Sequence, residues 1–322
     1  MFDHLLRHFG TPRYTKEQQY RVSYEVRVTN ISKIHQDATL IIPVVSMRET
    51  QTLLDGPIFA PETEIAIEEK FGNRYAKWPI ALPPQGEQLY KQLFQIRTAP
   101  AIKKGARAFT VSDYATLDAD LRRKYLEPNT YLESDDPEII DLAKRIQGKG
   151  TKVLQTLKRI NEFVISRVTY GNPIPGLYKA TATLGDESRI KSGTTGIPVD
   201  CGGFATLFVS LCQALGIPAR IVSGFWAGYH KNDMHAWVEI LLPDGSWLPA
   251  DPATEQLNRL GRSKKSGKLG FVGSDRITFS VGCDLDVTAG PDPIDADILQ
   301  NPIVYPANDY VRAQCILSTQ PL

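Results

Sequence analysis

Between Tyr20 and Thr29 apolar and polar side chains alternate strictly. Tyr20, Val22, Tyr24, Val26 and Val28 fall on one face, and Arg21, Ser23, Glu25, Arg27 and Thr29 fall on the other. A period of two marks a half-buried strand, with one face on a core and one in water. Weaker runs follow at Ala38–Val45, Thr63–Lys70, Leu89–Arg97 and Ala106–Val111. Pro43 has no N–H to give to a ladder, so it sets the first of these at an edge or a strand end. Short strands separated by turn clusters such as Phe71-Gly72-Asn73-Arg74 predict a β-sandwich at the start of the chain.

The period changes after Tyr131. Asp136, Pro137 and Glu138 read as an N-cap, an N1 proline and a first-turn acid, ahead of Ile139, Leu142, Ala143 and Ile146 at helical spacing. Gly148 and Gly150 break that helix. Thr151 is then expected to cap a second one carrying Val153, Leu154, Leu157, Ile160, Phe163 and Val164. From Tyr170 to Asp200 the periodicity is lost, and an irregular stretch this long inside a compact domain usually serves function. Gly202 to Leu215 is almost wholly apolar and is stopped by Gly216 and Pro218, which predicts a buried helix. His235–Leu242 reads as a strand, Pro243-Asp244-Gly245-Ser246 as a turn and Trp247–Pro252 as a returning strand.

Length and charge narrow the function classes. The chain has 322 residues, 37 basic and 36 acidic side chains, a net charge of +1 and a hydrophobic fraction of 42%. That supports two cores and excludes a disordered or collagen-like chain. Charge this even gives no footprint for a phosphate backbone or an anionic lipid surface, so neither nucleic acid nor membrane is expected as a partner. No apolar run approaches the roughly 18 residues of a span. The start, Met1 to Phe9, is interrupted by Asp3, His4, Arg7 and His8 too early for a signal-peptide core, which predicts a cytoplasmic location.

There are four cysteines, Cys201, Cys212, Cys283 and Cys315, and none forms a Cys-x-x-Cys pair. Such spacing offers no zinc ribbon or disulfide framework. Cys201 is distinguished by position: at the start of the apolar helix it meets unpaired backbone N–H groups and the positive end of the dipole, which favour the nucleophilic thiolate. Cys212 lies eleven residues on, roughly 16 Å along the axis at 1.5 Å per residue, too far for a disulfide with Cys201. A cysteine nucleophile needs an imidazole in reach and a third group to orient it. His235 and Asp251 supply these types on the two strands of one hairpin. Direct pairing of His235 with Asp251, with Glu239 opposite Trp247, requires a wide turn. A tight Asp244-Gly245 turn would instead set Asp251 opposite Val238 and leave His235 on the wrong face.

Three separated blocks carry a resemblance. Cys201-Gly202-Gly203-Phe204-Ala205 with Leu215-Gly216-Ile217-Pro218-Ala219-Arg220, then His235-Ala236-Trp237-Val238-Glu239, then Gly245-Ser246-Trp247 with Asp251-Pro252-Ala253-Thr254, together resemble the core of the transglutaminase-like superfamily. The resemblance implies an α+β, papain-like core: a Cys on a helix N-terminus packed on an antiparallel sheet, preceded here by the β-sandwich. It also implies a Cys201, His235, Asp251 triad acting on amide bonds of proteins or peptides through a thioester, with no cofactor and no metal. Hydrolysis is the expected outcome, with transamidation by the same triad, or a silent interaction module, as alternatives. The expected division is 1–130 β-rich, 131–255 catalytic core, and 256–322 an extension completing the core sheet. Arylamine acetyltransferases share the order Cys, His, Asp but resemble the surroundings of Cys201 less.

One departure from the resemblance stands beside the nucleophile. Many members carry Gly two residues before it, where this chain reads Pro198-Val199-Asp200-Cys201. The resemblance offers the Cys201 N–H as one oxyanion donor, and Tyr170 and Tyr178 are candidates for a second. Trp226, Trp237 and Trp247 are expected as packed core, Glu239 as a structural partner, and His230 as a loop residue rather than the base. Arg259, Arg262, Lys264, Lys265 and Lys268 read as a solvated loop. Asp284, Asp286, Asp292, Asp295 and Asp297 lack the spacing and glycine of an EF-hand, so no calcium site is expected. Cys212, Cys283 and Cys315 are expected to be inert core thiols.

Overall fold

The computed structural model describes residues 12–103, 109–185, 196–290 and 293–322. The first part of the chain holds β1 (Gln18–Asn30), β2 (Gln36–Val44), β3 (Gln51–Ala60), β4 (Ile65–Ile67), β5 (Arg74–Leu82), β6 (Glu87–Thr98) and the short β7 (Ala101–Ile102). The middle holds α1 (Ala119–Lys124), α2 (Pro137–Gln147), α3 (Val153–Arg167), β8 (Val168–Tyr170), β9 (Ile197–Val199), α4 (Cys201–Ala214), β10 (Ala219–Trp226), β11 (Met234–Leu241), β12 (Trp247–Ala250) and α5 (Pro252–Arg259). The tail holds β13 (Phe271–Val272), β14 (Arg276–Val281), β15 (Leu285–Thr288), β16 (Pro293–Ala296), β17 (Ile303–Tyr305) and β18 (Val311–Pro321).

The alternation in β1 is realised as predicted: its apolar residues from Tyr20 to Val28 are fully buried. They face a second sheet across one core. The two sheets run β18-β1-β6-β3 and β17-β2-β5-β4, and the core takes Tyr20, Tyr24 and Phe94 from one and Leu40, Ile42 and Trp78 from the other. Pro43 lies beyond the short ladder between β17 and β2, which covers only Thr39, Leu40 and Ile41, so its missing N–H breaks no bond there. In the sandwich, β3 and β5 were not predicted. In β5 the buried alternation of Ala76, Trp78, Ile80 and Leu82 is interrupted on its wet face by Pro79, and β3 carries Pro57 and two register shifts against β6. Residues 106–108 of the expected strand Ala106–Val111 lie outside the described residues. Its end instead enters a 3-10 turn at Val111–Thr116, fixed by Asp113 accepting from Thr110 N–H at 2.7 Å.

The helical middle follows its capping chemistry. Asp136 accepts from Glu138 N–H at 2.8 Å and α2 begins at Pro137. The cap of α3 is Lys152 rather than Thr151, and it makes no side-chain bond. Helix α4 is buried all round from Gly202 to Gln213, as its apolar sequence requires, and α2, α3 and α5 pack on it. The sheet behind it has the order β12-β11-β10-β14.

The chain divides into two compact units at different points from the expected 130 and 255. One comprises chiefly Pro100–Val222 and Ala236–Gly273, and the other Lys16–Ala99, Ser223–His235 and Ser274–Leu322. The tail was expected to complete the core sheet. Only β14 joins it, whereas β17 pairs with β2 and β18 with β1 over its whole length, from Tyr20 opposite Pro321 to Asn30 opposite Val311. The reason is again period two: Val311, Ala313, Cys315 and Leu317 point to the sandwich core, while Arg312, Gln314 and the exposed Ile316 point away from it.

Candidate active site

The nucleophile candidate opens α4. Asp200 is its N-cap, in extended backbone, and its Oδ1 accepts from Gly203 N–H at 3.1 Å. This is the bond that an Asp one residue before a helix is expected to make. Cys201 is therefore held at the first helical position, partly buried and free of any disulfide. The backbone N–H groups of Ala236 and Gly202 point at its sulfur and favour the thiolate. They are outweighed: burial first, then the Asp200 and Asp251 carboxylates, push the thiol up to about 12. The helix-terminus argument is thus right in sign and too small in size, so the thiol keeps its proton until a base removes it.

The hairpin register differs from the expected one by two residues. Val238 faces Ala250 and Leu241 faces Trp247, where Glu239 was expected opposite Trp247. Leu242 N–H donates to Ser246 O at 2.8 Å and Gly245 N–H to Leu242 O at 2.9 Å, leaving a three-residue loop, Pro243-Asp244-Gly245. Gly245 has φ +78°, the left-handed residue that closes such a loop. The wide turn and the tight two-residue turn are both absent. A shift of two residues keeps every side chain on its face, where a shift of one would have reversed them. The ladder ends at Ala250, so Asp251 lies one step past it, in line with Trp237 and with the face of β11 that carries His235.

Asp251 does not continue the strand. It caps α5, accepting from Thr254 N–H at 2.9 Å, with Pro252 at the first helical position. Its signature, Asp-Pro at a helix start, is the same one that marks Asp136-Pro137. It is 0% exposed, and its charge is felt at the Cys201 sulfur. One side chain thus serves as a helix cap and as a buried carboxylate whose charge disfavours the thiolate.

His235 sits near the start of β11, one residue before the Ala236 amide that donates to Cys201. Its imidazole is 3% exposed and lies against the Trp226 indole, with ring centroids 4.5 Å apart at 33°. The Arg276 guanidinium lies over the same indole at 3.9 Å and pairs with Asp275 at 3.1 Å. Because β10 lies between β11 and β14, the imidazole and guanidinium approach Trp226 from opposite flanks. Gln300 Nε2 donates to the carbonyls of His235 and Gly224, at 2.8 and 2.9 Å, and holds the strand. At Gly224 a Cβ would lie 1.9 Å from Ile277 O, so β14 can approach only a glycine there.

The remaining candidates separate clearly. Glu239 Oε2 accepts from Arg220 Nε and Nη2 at 2.9 and 2.7 Å, and that guanidinium stacks 3.6 Å over Trp247, so both residues are structural. Trp237 is buried, and Trp226 is the tryptophan in contact with a candidate site residue. His230 is exposed in the loop after β10. Tyr178 spends its hydroxyl proton on Asn172 O at 2.7 Å, which takes it away from an oxyanion, and the Tyr170 ring packs on Phe204. Arg259 is paired with Glu162 and Glu255 rather than held ready for a partner. Among the described residues no group of three His, Cys, Asp or Glu could hold a metal, and Asp292 lies outside them. Nor is any described helix long and apolar enough to cross a membrane. Cys212 and Cys283 are buried, Cys315 is partly so, and none of the three is in a disulfide.

A partly buried Cys at a helix start, a hairpin amide on its sulfur and a buried carboxylate just past the hairpin's far strand define a thiol-centred site. Residues 140–252 match the model of the transglutaminase-like superfamily, and this segment is a transglutaminase-like core. Over 62 residues the chain is 37% identical to a protein-glutamine gamma-glutamyltransferase of Pseudomonas aeruginosa, and over 66 residues 32% identical to the uncharacterized protein YebA of Bacillus subtilis. Each match covers 16% of this chain and 9% of the relative, so the similarity spans about a tenth of those proteins. A solved structure of a candidate cysteine protease from Cytophaga hutchinsonii is similar over 94% of this chain and 91% of its own, with TM-score 0.60 and 20% identity. That likeness shows the fold across nearly the whole chain.

Proposed function

We propose that the protein is a thiol enzyme that hydrolyses amide bonds of proteins or peptides, with Cys201 as nucleophile, His235 as base and acid, and Asp251 as the orienting carboxylate. The observation that carries this reading is the placement of three chemistries at one sulfur. The helix start presents it, the amide next to His235 donates to it, and the Asp251 charge reaches it. The thiol proton passes to the His235 imidazole as sulfur attacks the carbonyl carbon. The C–N bond then breaks, His235 returns the proton to the departing amine, and a thioester on Cys201 remains. Water attacks that thioester with His235 taking its proton, which releases a carboxylic acid and restores the thiol. A thiol pushed up to about 12 makes the base indispensable.

Transamidation is the second reading, supported by the likeness to the Pseudomonas protein-glutamine gamma-glutamyltransferase. In it an amine replaces water at the thioester. The test is alkylation of Cys201 by iodoacetamide across pH, with Cys201→Ala and His235→Ala as controls, followed by peptide and casein turnover with and without an amine donor. Reaction at Cys201 no faster than a model thiol, unchanged by His235→Ala, would sink the enzyme reading and favour a silent interaction module. Product carrying the donor amine would select transfer over hydrolysis.

A further inference from the structure

The loop before α4 is tied to the nucleophile by bonds that the triad does not use. Asp200 Oδ2 accepts from Ile174 N–H at 3.4 Å while its Oδ1 caps the helix at Gly203. Tyr178 closes the loop on itself, donating its hydroxyl proton to Asn172 O at 2.7 Å and accepting from Asn172 Nδ2 at 3.0 Å. The loop lies directly on the helix start because Gly202 and Gly203 have no Cβ. One added at Gly202 would lie 2.8 Å from Leu177 Cδ2, and one at Gly203 would lie 3.2 Å from Tyr178 Cδ2. Leu177 is buried, while Asn172, Pro173, Pro175 and Gly176 are exposed. The run Asn172-Pro173-Ile174-Pro175-Gly176 therefore stands beside Cys201 as a ring fixed at both ends.

Its chemistry is specific. The tip carries no charged side chain. Two of its residues are prolines, which hold extended backbone and offer carbonyls without competing N–H groups. The Ile174 N–H is already given to Asp200. Such an edge presents acceptors and apolar rings, the complement of an extended, uncharged peptide that brings its own N–H donors.

We propose that the 172–178 loop, clipped to α4 by Asp200 and closed by Tyr178, is a wall of the substrate site that takes an extended peptide backbone, so that the substrate is a peptide rather than a small free amide. The proposal rests on the thiol-enzyme reading above and deepens it. Asp200 and Tyr178 act through the loop and are positioning residues.

The test compares two reagents with the same leaving group at Cys201: chloroacetamide, which needs no wall, and the uncharged acetyl-Ala-Ala-Ala chloromethyl ketone, which does. The quantity read is the ratio of the peptidyl to the small-reagent rate, in wild type, Tyr178→Phe and Asn172→Ala. Tyr178→Phe removes both bonds, whereas Asn172→Ala removes only the one from Nδ2 and keeps the backbone acceptor, and neither side chain is buried. The expected result is a wild-type ratio at least about tenfold above that of free cysteine, reduced more than threefold in Tyr178→Phe and by less in Asn172→Ala. A wild-type ratio equal to that of free cysteine, Tyr178→Phe within threefold of wild type, or a larger loss in Asn172→Ala than in Tyr178→Phe, overturns the wall. Failure of wild-type Cys201 to react with either reagent overturns the thiol-enzyme reading itself, a different observation.

Discussion

Replacing Asp200 with Asn separates the two things this side chain does. Asn still accepts from Gly203 N–H through its Oδ1, because it caps helices about as well as Asp, but its Nδ2 cannot accept the 3.4 Å bond from Ile174 N–H, and the charge beside Cys201 is gone. Burial accounts for the largest share of the rise of the thiol from its ordinary value of 9.0 to about 12, and the Asp200 charge comes next. An interaction of ~1.4 kcal/mol is the order expected for one like-charge neighbour at a partly buried site. At pH 8 its removal raises the thiolate fraction about tenfold. Thiolate nucleophilicity falls with pKa at a Brønsted slope of about 0.4–0.5, which returns roughly a factor of three. The net expectation is alkylation of Cys201 by iodoacetamide about threefold faster, measured in a His235→Ala background so that the thiol titrates without its base. Equal or slower alkylation would refute the argument that the carboxylate is felt at the sulfur. Stability gives a second readout. Burial raises the pKa of Asp200 itself, so wild type carries a cost that grows as pH rises through that folded value and is absent below the unfolded one. The variant lacks this term. Its melting temperature relative to wild type should therefore be more favourable at pH 7 than at pH 4, offset by about 0.3–1 kcal/mol of lost charge–dipole attraction.

Other expectations follow from single contacts. Asp251→Asn keeps the cap on Thr254 and loses the charge, so turnover should fall on the order of 10³–10⁴-fold with a melting temperature within a few degrees of wild type; a fall of less than tenfold would remove Asp251 from the triad. Trp226→Ala strips the packing from both His235 and Arg276 and should cost about 3–5 kcal/mol, readable as a loss of roughly 10 °C by calorimetry, whereas an unchanged melting temperature would show that the stack carries no weight. Gly224→Ala puts a Cβ 1.9 Å from Ile277 O and should prevent β14 from pairing, seen as insoluble expression; a soluble protein with wild-type melting would contradict the packing. Glu239→Gln leaves the Arg220 guanidinium buried beneath a neutral partner and should cost about 3–5 kcal/mol by denaturant titration, so a loss under 1 kcal/mol would make the pair superficial.

The parts legible in the sequence are those where one local rule decides. Strict alternation specifies β1, an Asp-Pro pair specifies the start of α2, and an almost wholly apolar run between Asp200 and Gly216 specifies α4. The hairpin shows the limit of such rules. Its two strands are readable, and so is the requirement that His235 and Asp251 share a face, but the register is set by whether Gly245 takes the left-handed conformation, which sequence spacing alone does not decide. The structure chose a third loop length that satisfies the same parity. Parity is the physical constraint and pairing number is incidental, since a two-residue slip moves a carboxylate along a face and a one-residue slip removes it from that face. The cap on α5 was readable from the same Asp-Pro signal as α2 and was obscured because Asp251 was already assigned to a strand. The sulfur's protonation was the least legible feature. A helix N-terminus and a neighbouring carboxylate are both written in Asp200-Cys201, with opposite effects, and the outcome depends on how deeply the fold buries the thiol, a quantity set by Leu177, Tyr178 and Ala236 arriving from distant positions. The chemistry of this thiol is therefore a property of the loop and hairpin that enclose it as much as of the helix that presents it.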